Sequence, residues 1–167
     1  MSVETHIRPI GVADKAEIEL VARRMRDTLA EVLGPDRGDS MYSHTWLVER
    51  VLWHLDPDNR GQVFVARSGD DEVTGHTIVR VDLDADGSEI GLFSTTYVHP
   101  DARRSGVAAA LLQEGEAWMR ARGLQVAVTY TDPENTKLQT LYQRAGYTLA
   151  PMPKGFVSLT KRLNDAA

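Results

Sequence analysis

Arg103–Ala108 reads RRSGVA. The stretch follows a β-branched run that ends in Val98-His99-Pro100. It precedes Ala109–Gly123, AALLQEGEAWMRARG, which carries the pattern of an amphipathic helix. It is therefore a strand-to-helix junction. The first four N–H groups of a helix have no partner inside it, and the helix dipole adds partial positive charge at the same end. Gly106 has no side chain to keep a ligand from that backbone, and Ala108 is nearly as small. Arg103 and Arg104 add full positive charge beside it. These residue types in this order describe a cradle for a phosphate or pyrophosphate. A tight turn at Gly106 with solvated arginines is the plainer alternative.

Working outward, the upstream segments Gln62–Arg67, Val73–Leu83 and Glu89–Val98 read as three strands. The turns Ser68–Glu72 and Asp84–Gly87 join them into an antiparallel meander. Gly91, inside the third strand, marks a bulge or a close backbone approach. Downstream, Gly123 closes the helix and Leu124–Tyr130 returns to strand. Strand, helix, strand implies a right-handed crossover and a parallel pair. A last helix over Thr136–Ala145 stops at Gly146, and Tyr147–Ala150 and Phe156–Lys161 supply two final strands. At the other end of the chain, His6–Ile10 reads as a strand. Ile18, Val21, Ala22, Met25, Leu29 and Val32 then place a helix, opened by Asp14 with Glu17 as a capping box and ended by Gly34-Pro35. Trp46, Leu47, Val51, His54 and Leu55 mark a shorter helix stopped at Asp56-Pro57. The sum is an α/β chain of the α+β kind: a mixed, mostly antiparallel sheet of about six to seven strands flanked by about four helices. One domain over residues 1–167 accounts for all of it.

Composition narrows the function. Apolar residues make up 42% of the 167 and charged residues 26%, the balance of a soluble domain. A net charge of −5 argues against a general nucleic-acid binder. The absence of cysteine removes disulfides, thiolate metal sites and a cysteine nucleophile together. The five histidines are scattered without ligand-like spacing, so no metal site is expected. MSVETHIRPI lacks the order of a signal peptide, and no apolar run approaches the roughly 20 residues that span a bilayer. A cytoplasmic protein with no membrane partner is the expectation. Neither GxxxxGK[ST] nor an N-terminal GxGxxG is present, which excludes the two common nucleotide fingerprints.

The pattern [QR]xxGx[GA], between a strand ending in V-x-P and an Ala/Leu-rich helix, resembles the acyl-CoA signature of the GNAT superfamily of N-acetyltransferases. A second match lies downstream in NTKLQTLYQRAGY, with Asn135, Tyr142 seven positions later, and Gly146-Tyr147. The order of elements is similar too, so the resemblance covers nearly the whole chain.

The resemblance implies acetyl-CoA as co-substrate and direct attack by an amine in a ternary complex. It implies that the backbone N–H groups of about Arg104 to Ala108, with Ser105, Gly106 and Val107 between them, hold the CoA pyrophosphate, and that Arg103 belongs to the same cofactor site. Thr96, Tyr97 and Val98 would pair with the pantetheine arm as an extra strand would, and the Val98 amide would polarise the thioester carbonyl. Asn135 would contact the pantetheine or the helix start. Tyr142 would sit near the sulfur and protonate the departing thiolate. The two parallel strands would splay apart to open the slot. Leu138 and Ser105 depart from the residues more usual at their positions, and neither removes a needed group.

The base and the acceptor stay open. Glu89 is the acid of the third strand, at its start; Ser94, Thr95 and Thr96 can hold a water, and His76 is a further candidate or an ordinary strand histidine. Trp46 and Trp53, about two helical turns apart, suit core packing or an aromatic wall for the acceptor. Asp36, Asp39, Asp82, Asp84 and Asp86 suit a cationic amine, a small molecule or a peptide N-terminus, or are simply solvated. A non-catalytic acyl-CoA sensor on the same fold is the alternative function, a plain nucleotide-binding domain is a third, and a homodimer is compatible with the fold.

Overall fold

The computed structural model describes residues 5–33, 43–69, 72–103 and 106–163. Arg104, Ser105, Gly34-Pro35, Asp36 and Asp39 lie outside them. In chain order the elements are β1 (His6–Pro9), α1 (Lys15–Leu33), α2 (His44–Leu55), β2 (Gly61–Arg67), β3 (Val73–Leu83), β4 (Glu89–Val98), α3 (Val107–Ala121), β5 (Val126–Thr131), α4 (Thr136–Arg144), β6 (Thr148–Pro151) and β7 (Val157–Arg162). The strands form one seven-stranded sheet in the order β1-β2-β3-β4-β5-β7-β6. Every pair is antiparallel except β4–β5, joined by the crossover through α3.

Alternation along β2 sorts the core into two layers. Val63 and Val65, with Ile78 of β3, pack under Ile18, Val21, Ala22, Leu47 and Val51 of α1 and α2. Phe64 and Ala66, with Val79 and Phe93, pack under Leu111, Leu112 and Met119 of α3 and Tyr142 of α4. No described helix is long and apolar enough to cross a membrane.

Three sequence expectations are corrected. First, Glu17 does not close a capping box. Its carboxylate takes Arg8 at 2.6 Å and Arg67 at 3.0 Å, two strand guanidinium groups that outbid one backbone N–H. Asp14 still starts α1, its carbonyl accepting from the Ile18 amide at 3.0 Å, while its carboxylate accepts from the Gly11 N–H at 2.8 Å. Second, Trp46 and Trp53 are not core residues. Trp46 is 42% and Trp53 37% exposed, and the Trp53 ring carries the Arg50 and Arg80 guanidinium groups at 4.5 and 5.6 Å from its centroid. Third, α3 begins at Val107 with Gly106 as its N-cap, two residues before the Ala109 from which the helical pattern is read.

The bulge is real, but it is not at Gly91. The β3–β4 register runs Ile78 to Thr95 and then Val79 to Phe93, which leaves Ser94 as the extra residue. Gly91 is a close approach instead, since a Cβ there would overlap the Met119 side chain. Gly115 is another, on α3, where a Cβ would overlap the buried Phe93 ring. Gly115→Ala should therefore destabilise the protein by about 1–2 kcal/mol although alanine favours a helix. A lower urea midpoint at unchanged m-value is the check.

The Ser94 bulge shapes the sheet around one opening. β4 pairs with β5 at Gly91–Ala127, Leu92–Val128 and Phe93–Thr129, and the ladder stops there. The Thr129 hydroxyl closes its end, donating to the Phe93 carbonyl at 2.9 Å. Beyond Phe93, β4 follows β3 as far as Val98, whereas β5 follows β7 as far as Thr131. The two parallel strands part, and the last third of β4 turns an unpaired edge toward the gap.

Candidate functional site

The gap widens into a slot of about 530 Å³. The end of β4 (Thr96, Tyr97, Val98), Arg103, the start of α3 (Gly106, Ala108, Ala109), the first turn of α4 from Asn135, and Thr28 and Glu31 of α1 form its walls. The sequence-derived residues Thr96, Tyr97, Val98, Arg103, Gly106, Ala108 and Asn135 are thus brought together. Val107 differs, because its side chain is buried in the core and leaves only its backbone for a ligand.

Gly106 explains the mouth of the slot. Its φ of 86° is a left-handed conformation that glycine adopts without strain. It caps α3 without any side-chain hydrogen bond, so the first-turn N–H groups stay open to a ligand. A Cβ at this position would meet nothing within 4 Å among the described residues outside its two chain neighbours. Asn135 instead caps α4 with a side chain: its Oδ1 accepts from the Leu138 amide at 3.3 Å while the residue lines the slot.

Charge at the mouth is paired. The Arg103 Nε donates to the Val98 carbonyl at 3.0 Å, and its two Nη atoms form a fork on Glu31 at 3.0 and 3.1 Å. Lys137 Nζ lies 3.5 Å from the same carboxylate. The Arg103 hydrogen bond holds the Glu31 carboxyl below the usual range against the opposing effect of burial, and Lys137 assists.

Tyr142 is fully buried behind Thr96. Its ring meets Phe93 and Tyr147 edge-on at 5.7 and 5.0 Å. Its hydroxyl lies 2.9 Å from Thr96 Oγ1, which lies 2.8 Å from Thr77 Oγ1, and Thr77 donates to the Thr95 carbonyl at 3.2 Å. One proton per hydroxyl fixes the direction of this chain. Thr77 spends its proton on the carbonyl, so it accepts from Thr96, and Thr96 accepts from Tyr142. Burial pushes the Tyr142 phenol well above its ordinary value.

The base candidates fare differently. Glu89 forms an ion pair with Arg60 at the far end of β4 and does not line the slot. His76 is fully buried, stacked on Tyr97 at 5.8 Å, with no hydrogen-bond partner at Nε2 among the described residues; burial, aided by Arg24, takes its pKa down to about 3. His54 is buried as well. Its Nε2 accepts from Arg80 at 3.0 Å, so Nδ1 carries the proton and donates to the Arg50 carbonyl at 2.9 Å. Burial takes its pKa down to about 4. No cluster of three His, Cys, Asp or Glu able to hold a metal occurs among the described residues. Glu31, Lys137 and Thr77 are site residues that sequence reasoning missed, since no motif links them to the junction.

Solved acetyltransferases share this fold. One from Thermus thermophilus superposes with a TM-score of 0.74 at 17% identity, over 97% of this chain and 99% of that one. The PaiA N-acetyltransferase of Thermoplasma acidophilum, solved in complex with coenzyme A, gives 0.73 at 16% identity, over 95% and 99%. At the level of sequence, residues 23–147 match the profile of the Acetyltransferase (GNAT) family, and the chain belongs to that family. A mycothiol acetyltransferase from Stackebrandtia nassauensis is 32% identical over 114 residues, which is 68% of this chain and 36% of that protein. This chain thus matches about a third of its length. An aminoglycoside N(6')-acetyltransferase type 1 from Stenotrophomonas maltophilia is 30% identical over 94 residues, 54% of this chain and 61% of that protein.

Proposed function

We propose that this protein transfers the acetyl group of acetyl-CoA to an amine, on a small molecule or a peptide, by direct attack in a ternary complex. The observation that carries the reading is the slot itself, which joins an unpaired β-strand edge to a helix N-terminus that carries no side-chain cap hydrogen bond. An extended amide-bearing arm ending in a pyrophosphate fits both parts. The names of the relatives support small-molecule amine acceptors.

Acetyl-CoA supplies an activated thioester. Thr96, Tyr97 and Val98 align the arm by backbone pairing, and the Val98 N–H polarises the carbonyl oxygen as charge develops there. The first-turn amides of α3, with Arg103, hold the phosphates. Arg104 and Ser105 belong to the same turn by sequence. Tyr142 donates the proton that the leaving sulfur needs. Its hydroxyl addresses the slot through Thr96: Thr96 Oγ1 turns its own proton from Thr77 Oγ1 to the sulfur and takes the Tyr142 Oη proton in its place, while Thr77 keeps its proton on the Thr95 carbonyl.

Release of CoA thiol, read with a disulfide dye against polyamines, aminoglycosides, amino sugars and short peptides, tests the reading. The chain contains no cysteine and adds no background. Thiol release with one class supports transfer and names the acceptor. Acetyl-CoA binding without release from any class points to the sensor instead. Gly106→Glu should weaken CoA binding at least tenfold, since it puts a carboxylate and a strained φ at the phosphate turn. Unchanged affinity by calorimetry would contradict the site.

A further inference from the structure

Glu31 sits in the slot on cations from two other elements. Arg103 comes from the turn before α3 and Lys137 from the first turn of α4, and both aim at one carboxylate from α1. The Arg103 fork is the geometry a guanidinium offers equally to carboxylate and to phosphate. Glu31 thus occupies the place of an anion.

We propose that Glu31 is a built-in counter-anion of the cofactor's phosphate site: it bridges Arg103 and Lys137 in the free protein, and a phosphate group takes its place on entry. The proposal rests on the reading of the slot as a CoA site. Two features argue for displacement rather than permanent support. Arg103 keeps its position without Glu31, because its Nε is separately bound to the Val98 carbonyl. The bridge is also open to water, with Glu31 41% and Lys137 77% exposed, so a ligand with several negative charges can compete for it. Lys137 becomes a phosphate-binding residue by the same logic. Glu31 then acts as a filter, since a ligand without phosphates cannot displace it from its two cations.

The test is calorimetry with coenzyme A and with pantetheine, which lacks the phosphates, on the full chain. Glu31→Gln and Glu31→Ala should each bind coenzyme A roughly fivefold more tightly, the scale of one exposed ion pair, and pantetheine unchanged. Equal or weaker coenzyme A binding by both variants would overturn the proposal and make Glu31 a support for Arg103. A parallel gain for pantetheine would overturn it too, by showing that the effect is not at the phosphates. If the parent protein binds neither ligand, the CoA reading of the slot falls first, and that outcome is distinct from the others.

Discussion

Lowering the pH from 6.5 to 5 is expected to remove about 3 kcal/mol of folding stability, through two histidines. Unfolded, both His54 and His76 take a proton near pH 6.5. Folded, burial first of all holds them to about 4 and about 3. The sign follows from proton counts. Below pH 6.5 the unfolded chain binds protons that the folded chain refuses, so stability falls as the pH falls. Each histidine contributes a slope of about 1.4 kcal/mol per pH unit, His54 down to its folded value and His76 further. The full contribution is present above about pH 7. The refusal has structural causes. Protonated Nε2 of His54 would face the Arg80 guanidinium that it now accepts from, and the His76 ring lies in a dry layer beside Tyr97. Glu31 and Glu89, whose carboxyls are held low by arginine partners, titrate below this window and do not mask it. Urea unfolding at pH 8, 6.5 and 5 checks the prediction. Replacing either histidine with asparagine should halve the slope, whatever it does to stability at pH 8. A flat profile between pH 7 and 5 would show that these rings are protonated in the folded state.

Local chemistry explains how much was legible in the sequence. β3 and β4 were readable to the residue because turn clusters bound them on both sides: Val73–Leu83 and Glu89–Val98 are the observed strands. The signature junction was readable because glycine and arginine have few reasons to meet at a helix start. The slot was implied by the family resemblance, but its cause, the Ser94 bulge, was not legible. A bulge depends on how two strands register, and serine carries no mark of it. The same holds for Glu17. Its spacing from Asp14 satisfies a local rule, yet two arginines distant in sequence reach it first. Trp46 and Trp53 misled because hydrophobicity alone suggests burial, while cations from α2 and β3 make the exposed face of Trp53 serviceable. Glu31 and Lys137, 106 positions apart, could be joined only by folding.

Tyr142→Phe should slow turnover at saturating acetyl-CoA by about a hundred- to ten-thousand-fold, the range for loss of a general acid, while the acetyl-CoA Kd stays within about twofold. The substitution is well isolated. The ring is fully buried against Phe93 and Tyr147, so phenylalanine fills the same volume with the same edge-on contacts. Thr96 keeps Thr77 as a partner, so no hydroxyl is stranded. What disappears is the proton at the head of the chain. Because burial raises the phenol, Tyr142 stays protonated across the working pH range, and its loss cannot be rescued by acidifying the assay. Thr96→Val should reproduce the slow turnover, since it removes the hydroxyl through which Tyr142 addresses the slot; Thr96→Ser should preserve it. Two results would undo the assignment. Wild-type turnover in Tyr142→Phe would mean that the sulfur takes its proton from elsewhere. Equal losses in turnover and in acetyl-CoA affinity would mean that Tyr142 shapes the slot rather than serving the chemistry, because a proton donated after attack stabilises the transition state and leaves ground-state binding alone.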